Sequence, residues 1–109
     1  MKIEIILLLV WIHFIADFIF QTDKMAMNKS KSFKWLTIHI AIYTAFFAFF
    51  GWKFALFTFI AHWITDALSS RATTYLWSKN QRHNFFVVIG LDQALHYTAL
   101  FLGYVYLAN

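Results

Sequence analysis

The sequence predicts an all-α fold: a polytopic membrane protein, one domain over residues 1–109, built as a four-transmembrane-helix bundle. Three observations lead there. The chain is 61% hydrophobic and only 13% charged, too little charge to cover a soluble surface of this size. Its apolar residues fall in long runs without period-two alternation, which excludes the strands of a membrane barrel. No proline interrupts any run.

The elements follow in order. A first helix is expected over about 3–20, from the run that begins after Lys2. Asp17 inside that run, and the lack of a small-x-small cleavage site, make it a retained helix rather than a cleaved leader. The polar, Lys-rich stretch 21–34 is expected to be a loop. A second helix is expected over about 35–50, and Gly51, Trp52 and Lys53 should reverse the chain. A third, short helix is expected over about 54–68, then a polar connection over 69–84 and a fourth helix over about 85–107. A crossing needs about 20 residues, so the second and third helices would borrow from their flanks or sit where the bilayer thins. Trp35, Trp52 and Trp77 read as interfacial anchors.

Lys and Arg set the expected orientation. Lys24, Lys29, Lys31, Lys34, Arg71, Lys79 and Arg82 fall in the first and third connections, against Lys2 and Lys53 on the opposite side. The positive-inside rule puts both termini outside the cytoplasm of a bacterial inner membrane. The formal net charge of +4 is absorbed by this asymmetry, so membrane lipid rather than nucleic acid is the expected partner, with a homo-oligomer open. The absence of Cys excludes disulfides and thiolate ligands.

Seven ionisable residues lie within the apolar runs: His13, Asp17, His39, His62, Asp66, Asp92 and His96. Each Asp at a span centre costs about 2.5–3.5 kcal/mol, so such a set calls for compensation or a ligand. His13 and Asp17, His62 and Asp66, and Asp92 and His96 are each four apart, hence on one helical face. Alternating helix direction brings all seven within roughly 3–17 Å of the level of the first and third connections. Imidazole and carboxylate ligands at i, i+4 suit one or two divalent metals, Zn first, Mn or Fe as alternatives. Asp17, Asp66 and His39 are the candidate catalytic groups. Gln21, Arg71 and Gln93 are candidate substrate contacts or supports of the ligands. Glu4 and His83 receive no role, and a purely structural hydrogen-bonded network is the bland alternative.

The motifs His13-Phe-Ile-Ala-Asp17-Phe-Ile-Phe-Gln21-Thr22-Asp23, then Ala26 and Lys29, the lone His39, His62-Trp-Ile-Thr-Asp66 and Asp92-Gln93-Ala-Leu-His96 together resemble a family of small bacterial and phage membrane proteins catalogued as a domain of unknown function. That resemblance implies a membrane bundle with a polar site and no established activity. A looser likeness to inner-membrane metal-dependent hydrolases tilts the expected reaction class. The expectation is a membrane-embedded hydrolase of a lipid or lipid-linked substrate at the cytoplasmic leaflet. The alternatives are an oligomeric proton or metal-ion carrier and a phage or host membrane-interaction protein.

Overall fold

The computed structural model describes residues 1–109, and every regular element in it is helical. Helix α1 spans Ile3–Phe14 and runs into a single π turn, Ile15–Ile19. The segment expected to be only loop contains a short helix, α2, Asp23–Asn28, whose Thr22 side chain accepts a hydrogen bond from Met25 N at 3.3 Å. Helix α3 spans Phe33–Ala45, with Ser32 at its N-cap. It ends as the backbone tightens to i−3 bonds, Phe46 N to Tyr43 O and Phe47 N to Thr44 O, and a 3₁₀ turn follows at Ala48–Phe50. Gly51 then reverses the chain at φ 117°, a conformation that a side chain strongly disfavours. Trp52 already belongs to the next helix.

Helix α4 spans Trp52–Ser78, ten residues beyond the expected end. Polar Ser69–Ser78 contains neither Pro nor Gly, so propagation continues through it once the helix exists. Asn80, at φ 57°, makes the tight turn into α5, Arg82–Leu107. Helices α4 and α5 form a long antiparallel hairpin, as their cross-contacts show. Ser69 meets Asp92, the ring of His62 lies beside that of His96, and Phe54 and Phe57 lie over Gly103. Helix α3 packs on α4, and α1 leans on α5.

This architecture corrects the four-span expectation. Only α5 is both long and apolar enough to cross a membrane: 26 residues, with a mean hydropathy of 1.5 over its best window. Helix α1 has 12 residues and α3 has 13, about 18–20 Å of rise against a hydrocarbon core of about 30 Å. Helix α4 has the length, but Asp66, Ser69, Ser70 and Arg71 dilute its hydropathy. The multi-pass topology and the placement of both termini rested on four spans and lose that support. The outward face of α5, with exposed Phe86, Leu91, Leu95, Leu102 and Val105, is compatible with membrane association.

The core has two parts. At the end holding the α3–α4 turn, Leu9, Tyr43, Phe47, Phe50, Phe54 and Leu100 pack together. Leu36, Ile40 and Ala67 form a second, smaller cluster between α3 and α4. The polar residues lie between the larger cluster and the opposite end of the bundle.

Candidate metal centre

Asp17 is carried on the π turn, the widened geometry that often marks functional positions. His39 comes from the middle of α3, His62 and Asp66 from one face of α4, and Asp92 and His96 from one face of α5. Asp17, His39, His62, Asp66 and His96 are each at most 5% exposed.

Four donor atoms converge. Asp17 Oδ1 lies 2.9 Å from His39 Nε2 and 3.6 Å from His62 Nε2. Asp66 Oδ2 lies 3.4 Å from His39 Nε2 and 3.8 Å from His62 Nε2. Ligands around a tetrahedral zinc sit about 3.2–3.6 Å apart, from bond lengths of about 2.0–2.2 Å. The short Asp17–His39 approach lacks the angles of a hydrogen bond: Asp17 Oδ1 and both ring nitrogens of His39 and of His62 have no hydrogen-bond partner. Buried polar atoms are normally paired, so a group of orphans aimed at one another suits a bound cation. Two overlapping sets satisfy ligand spacing, Asp17–His39–His62 and His62–Asp66–His96, with His62 common to both.

Burial pushes the His62 imidazole well below its ordinary range, with His96 adding to the effect, so the ring is neutral and its lone pair is free for coordination. Burial pushes the Asp66 carboxyl upward, an effect partly offset by Lys29, whose Nζ lies 2.9 Å from Asp66 Oδ2.

His13 stands aside from these sets. Its Nδ1 pairs with the Tyr43 hydroxyl at 2.7 Å and its Nε2 with Gln93 Oε1 at 2.8 Å. The amide oxygen of Gln93 can only accept, so Nε2 carries the proton and Tyr43 donates to Nδ1. Gln93 Nε2 in turn donates to Asp92 Oδ2 at 3.1 Å, and Ser69 Oγ donates to Asp92 Oδ1 at 2.6 Å. Asp92 Oδ2 lies 3.1 Å from His96 Nε2. A polar chain thus runs Tyr43–His13–Gln93–Asp92–His96 beside the donor cluster. Arg71 is not brought to the site. Its Nη1 donates to Ala67 O, and its guanidinium covers the Phe33 ring at 4.6 Å.

The cluster opens into a cavity of about 310 Å³ towards the end of the bundle that holds α2 and the α4–α5 turn. Asp17, Asp66 and Asp92 reach it, as do Gln21, Gln93 and Lys29, with Ser30, Ser69, Ser70, Thr73 and Thr74 supplying hydroxyls. Gln21 Oε1 and Ser70 Oγ are buried there without partners. Sequence reasoning missed Tyr43 and this row of hydroxyls, and it placed Lys29 in the motif without a role at the site. Lys29 had read as a topology charge, Tyr43 as one aromatic in an apolar run, and Ser69–Thr74 as a connection. The regular i, i+4 placement of Asp66, Ser70 and Thr74 was the available signal.

The family described as "Protein of unknown function (DUF3307)" matches residues 5–108, and the chain belongs to it. No curated protein and no solved structure matches. The looser likeness to inner-membrane metal-dependent hydrolases gains no support from these comparisons.

Proposed function

We propose that this member of the DUF3307 family is a membrane-associated, metal-dependent hydrolase of a lipid or lipid-linked substrate in the bacterial inner membrane. One observation carries the reading. The imidazoles of His39 and His62 each lie 2.9–3.8 Å from the buried carboxylates of Asp17 and Asp66, at the inner end of a polar cavity. A site built only for stability would satisfy these atoms, yet Asp17 Oδ1 and the ring nitrogens of His39 and His62 have no hydrogen-bond partner, and only Asp66 Oδ2 is paired, with Lys29.

The donor set of imidazole and carboxylate suits Zn, with Mn or Fe as alternatives. Asp17, His39 and His62 would hold one ion, and His62, Asp66 and His96 are the alternative or second set, with Asp92 steadying His96. A divalent ion there would polarise the scissile group and acidify a water. The chain's own residues do the rest. Asp17 or Asp66, whichever oxygen remains free, accepts the proton of the attacking water and returns it to the leaving group as the substrate bond breaks. His39 closes the cluster from α3. Gln93 holds the outer carboxylate, Asp92, in place. The exposed apolar surface of α1, α4 and α5 rests against lipid, which brings such substrates to the cavity.

A carrier would need a polar path through the bundle. Beyond the donor cluster the interior is closed by Phe47, Phe50, Phe54 and Leu100, so the geometry favours a one-ended site.

The test is hydrolysis by purified protein of three fluorogenic lipid analogues, an acyl ester, an amide and a phosphoester, with Zn, Mn or Fe added. Activity on one class, abolished by chelator, restored by metal, and lost in Asp17→Asn or Asp66→Asn, is expected. No turnover of any class with metal bound, or turnover indifferent to chelator, contradicts the assignment.

A further inference from the structure

The polar cavity does not stand alone. A second cavity of about 310 Å³ lies in the groove between α4 and α5, lined by Ile64, Leu68, Ala72, Val88, Leu91 and Leu95. Ser69 and Asp92 line both cavities, so the 2.6 Å hydrogen bond between them forms a shared wall. One compartment is rich in polar groups and the other is hydrocarbon-lined, and the two adjoin at this pair.

The polar compartment points to the headgroup. Only four of its 15 lining residues are hydrophobic, so an acyl or amide substrate would find little apolar wall around its carbonyl. Its donors include the Lys29 ammonium, the Gln21 amide and the hydroxyls of Ser30, Thr74 and Ser70, the last buried and unpartnered, whereas Ser69 and Thr73 already donate within the chain. A phosphoryl group, an acceptor with several oxygens, matches that set. Charge completes the argument. Asp17, Asp66 and Asp92 against Lys29 leave this compartment with two excess negative charges. An anion is repelled until a divalent ion neutralises them.

We infer that the substrate is a lipid phosphate, with its phosphoryl group beside Lys29 in the polar cavity and its hydrocarbon chain in the groove between α4 and α5. The inference rests on the metal reading above, because the charge count requires a bound ion. Lys29 then has two partners: Asp66 while the cavity is empty, and the phosphoryl oxygens when substrate enters.

The test measures binding to purified protein in neutral detergent micelles, with bound metal quantified in the same samples. The probes are glycerol 3-phosphate, dioctanoyl phosphatidic acid and, as a control, dioctanoyl phosphatidylcholine. Metal-loaded protein should bind phosphatidic acid at least about tenfold more tightly than either other probe, and metal-stripped protein should bind none of them. Lys29→Gln should keep its metal and weaken both phosphomonoesters about tenfold or more, with Lys29→Arg restoring much of the loss. Leu91→Gln should weaken phosphatidic acid alone.

Stoichiometric metal without phosphomonoester binding, or binding indifferent to Lys29→Gln, overturns the inference and leaves the metal centre standing. Equal affinity for glycerol 3-phosphate and phosphatidic acid overturns the lipid assignment. Failure to bind metal at all overturns both.

Discussion

His62 is the residue on which the two donor sets meet, so it is where a substitution should be felt most. Residues beside the cluster should behave differently. Tyr43 is 1% exposed and donates to the buried His13 Nδ1 at 2.7 Å. Tyr43→Phe keeps the ring and strands that nitrogen. Thermal or denaturant unfolding should show a loss of about 1–3 kcal/mol, the usual cost of an unsatisfied buried polar atom, with bound metal retained. An equal loss of metal would mean that the Tyr43–His13 chain belongs to the ligand set. At this scale much could be read from the sequence. The i, i+4 spacing put His62 with Asp66 and Asp92 with His96, and alternating helix direction put them level with Asp17 and His39. Spacing alone could not show that both nitrogens of His13 are spoken for, because its partners Tyr43 and Gln93 lie 30 and 80 positions away. Nor could it show that Lys29 reaches Asp66 across 37 positions.

Among the elements, the turn between α3 and α4 and the interior of α5 give opposite expectations for the same substitution. Gly51 sits at φ 117°, and a Cβ there would also come within 2.8 Å of the Asn109 side chain. The side chain can move aside, but the backbone strain remains. Gly51→Ala should lower stability by about 1–3 kcal/mol. Gly90 lies in the middle of α5, and a methyl group added there would meet nothing within 4 Å. Gly90→Ala should stabilise by about 0.4–1 kcal/mol. Thermal melts of the two variants check both signs, and destabilisation by Gly90→Ala would place an unseen contact at that face. The four long helices were legible, but the short α2 and the helix ends were not. Polarity at Ser69–Ser78 looked like a loop, although a helix with no Pro or Gly has no local reason to stop there. Apolarity at Phe46–Phe50 looked like helix, although the chain there tightens into a 3₁₀ turn ahead of Gly51.

At the scale of the whole molecule, an apolar exterior surrounds an interior in which a His and Asp cluster lies beside two apolar core clusters. Trp11, Phe18, Leu56, Ile60, Ile64 and Leu102 are all exposed while the His and Asp residues are inside. The high hydrophobic fraction is compatible with membrane association but was a poor guide to the number of spans, which depends on unbroken helix length. Vesicle flotation follows from that exterior. The protein should float with liposomes and resist carbonate extraction, whereas recovery in the soluble fraction would contradict membrane association. The central claim is that the interior is a metal centre, and elemental analysis tests it most directly. Protein purified with Zn, then dialysed, is compared with His62→Ala, with unfolding followed in chelator. One or two ions per chain are expected, falling sharply in His62→Ala, together with a lower melting temperature in chelator. Metal no higher than background, with stability unchanged by chelator, would contradict the account.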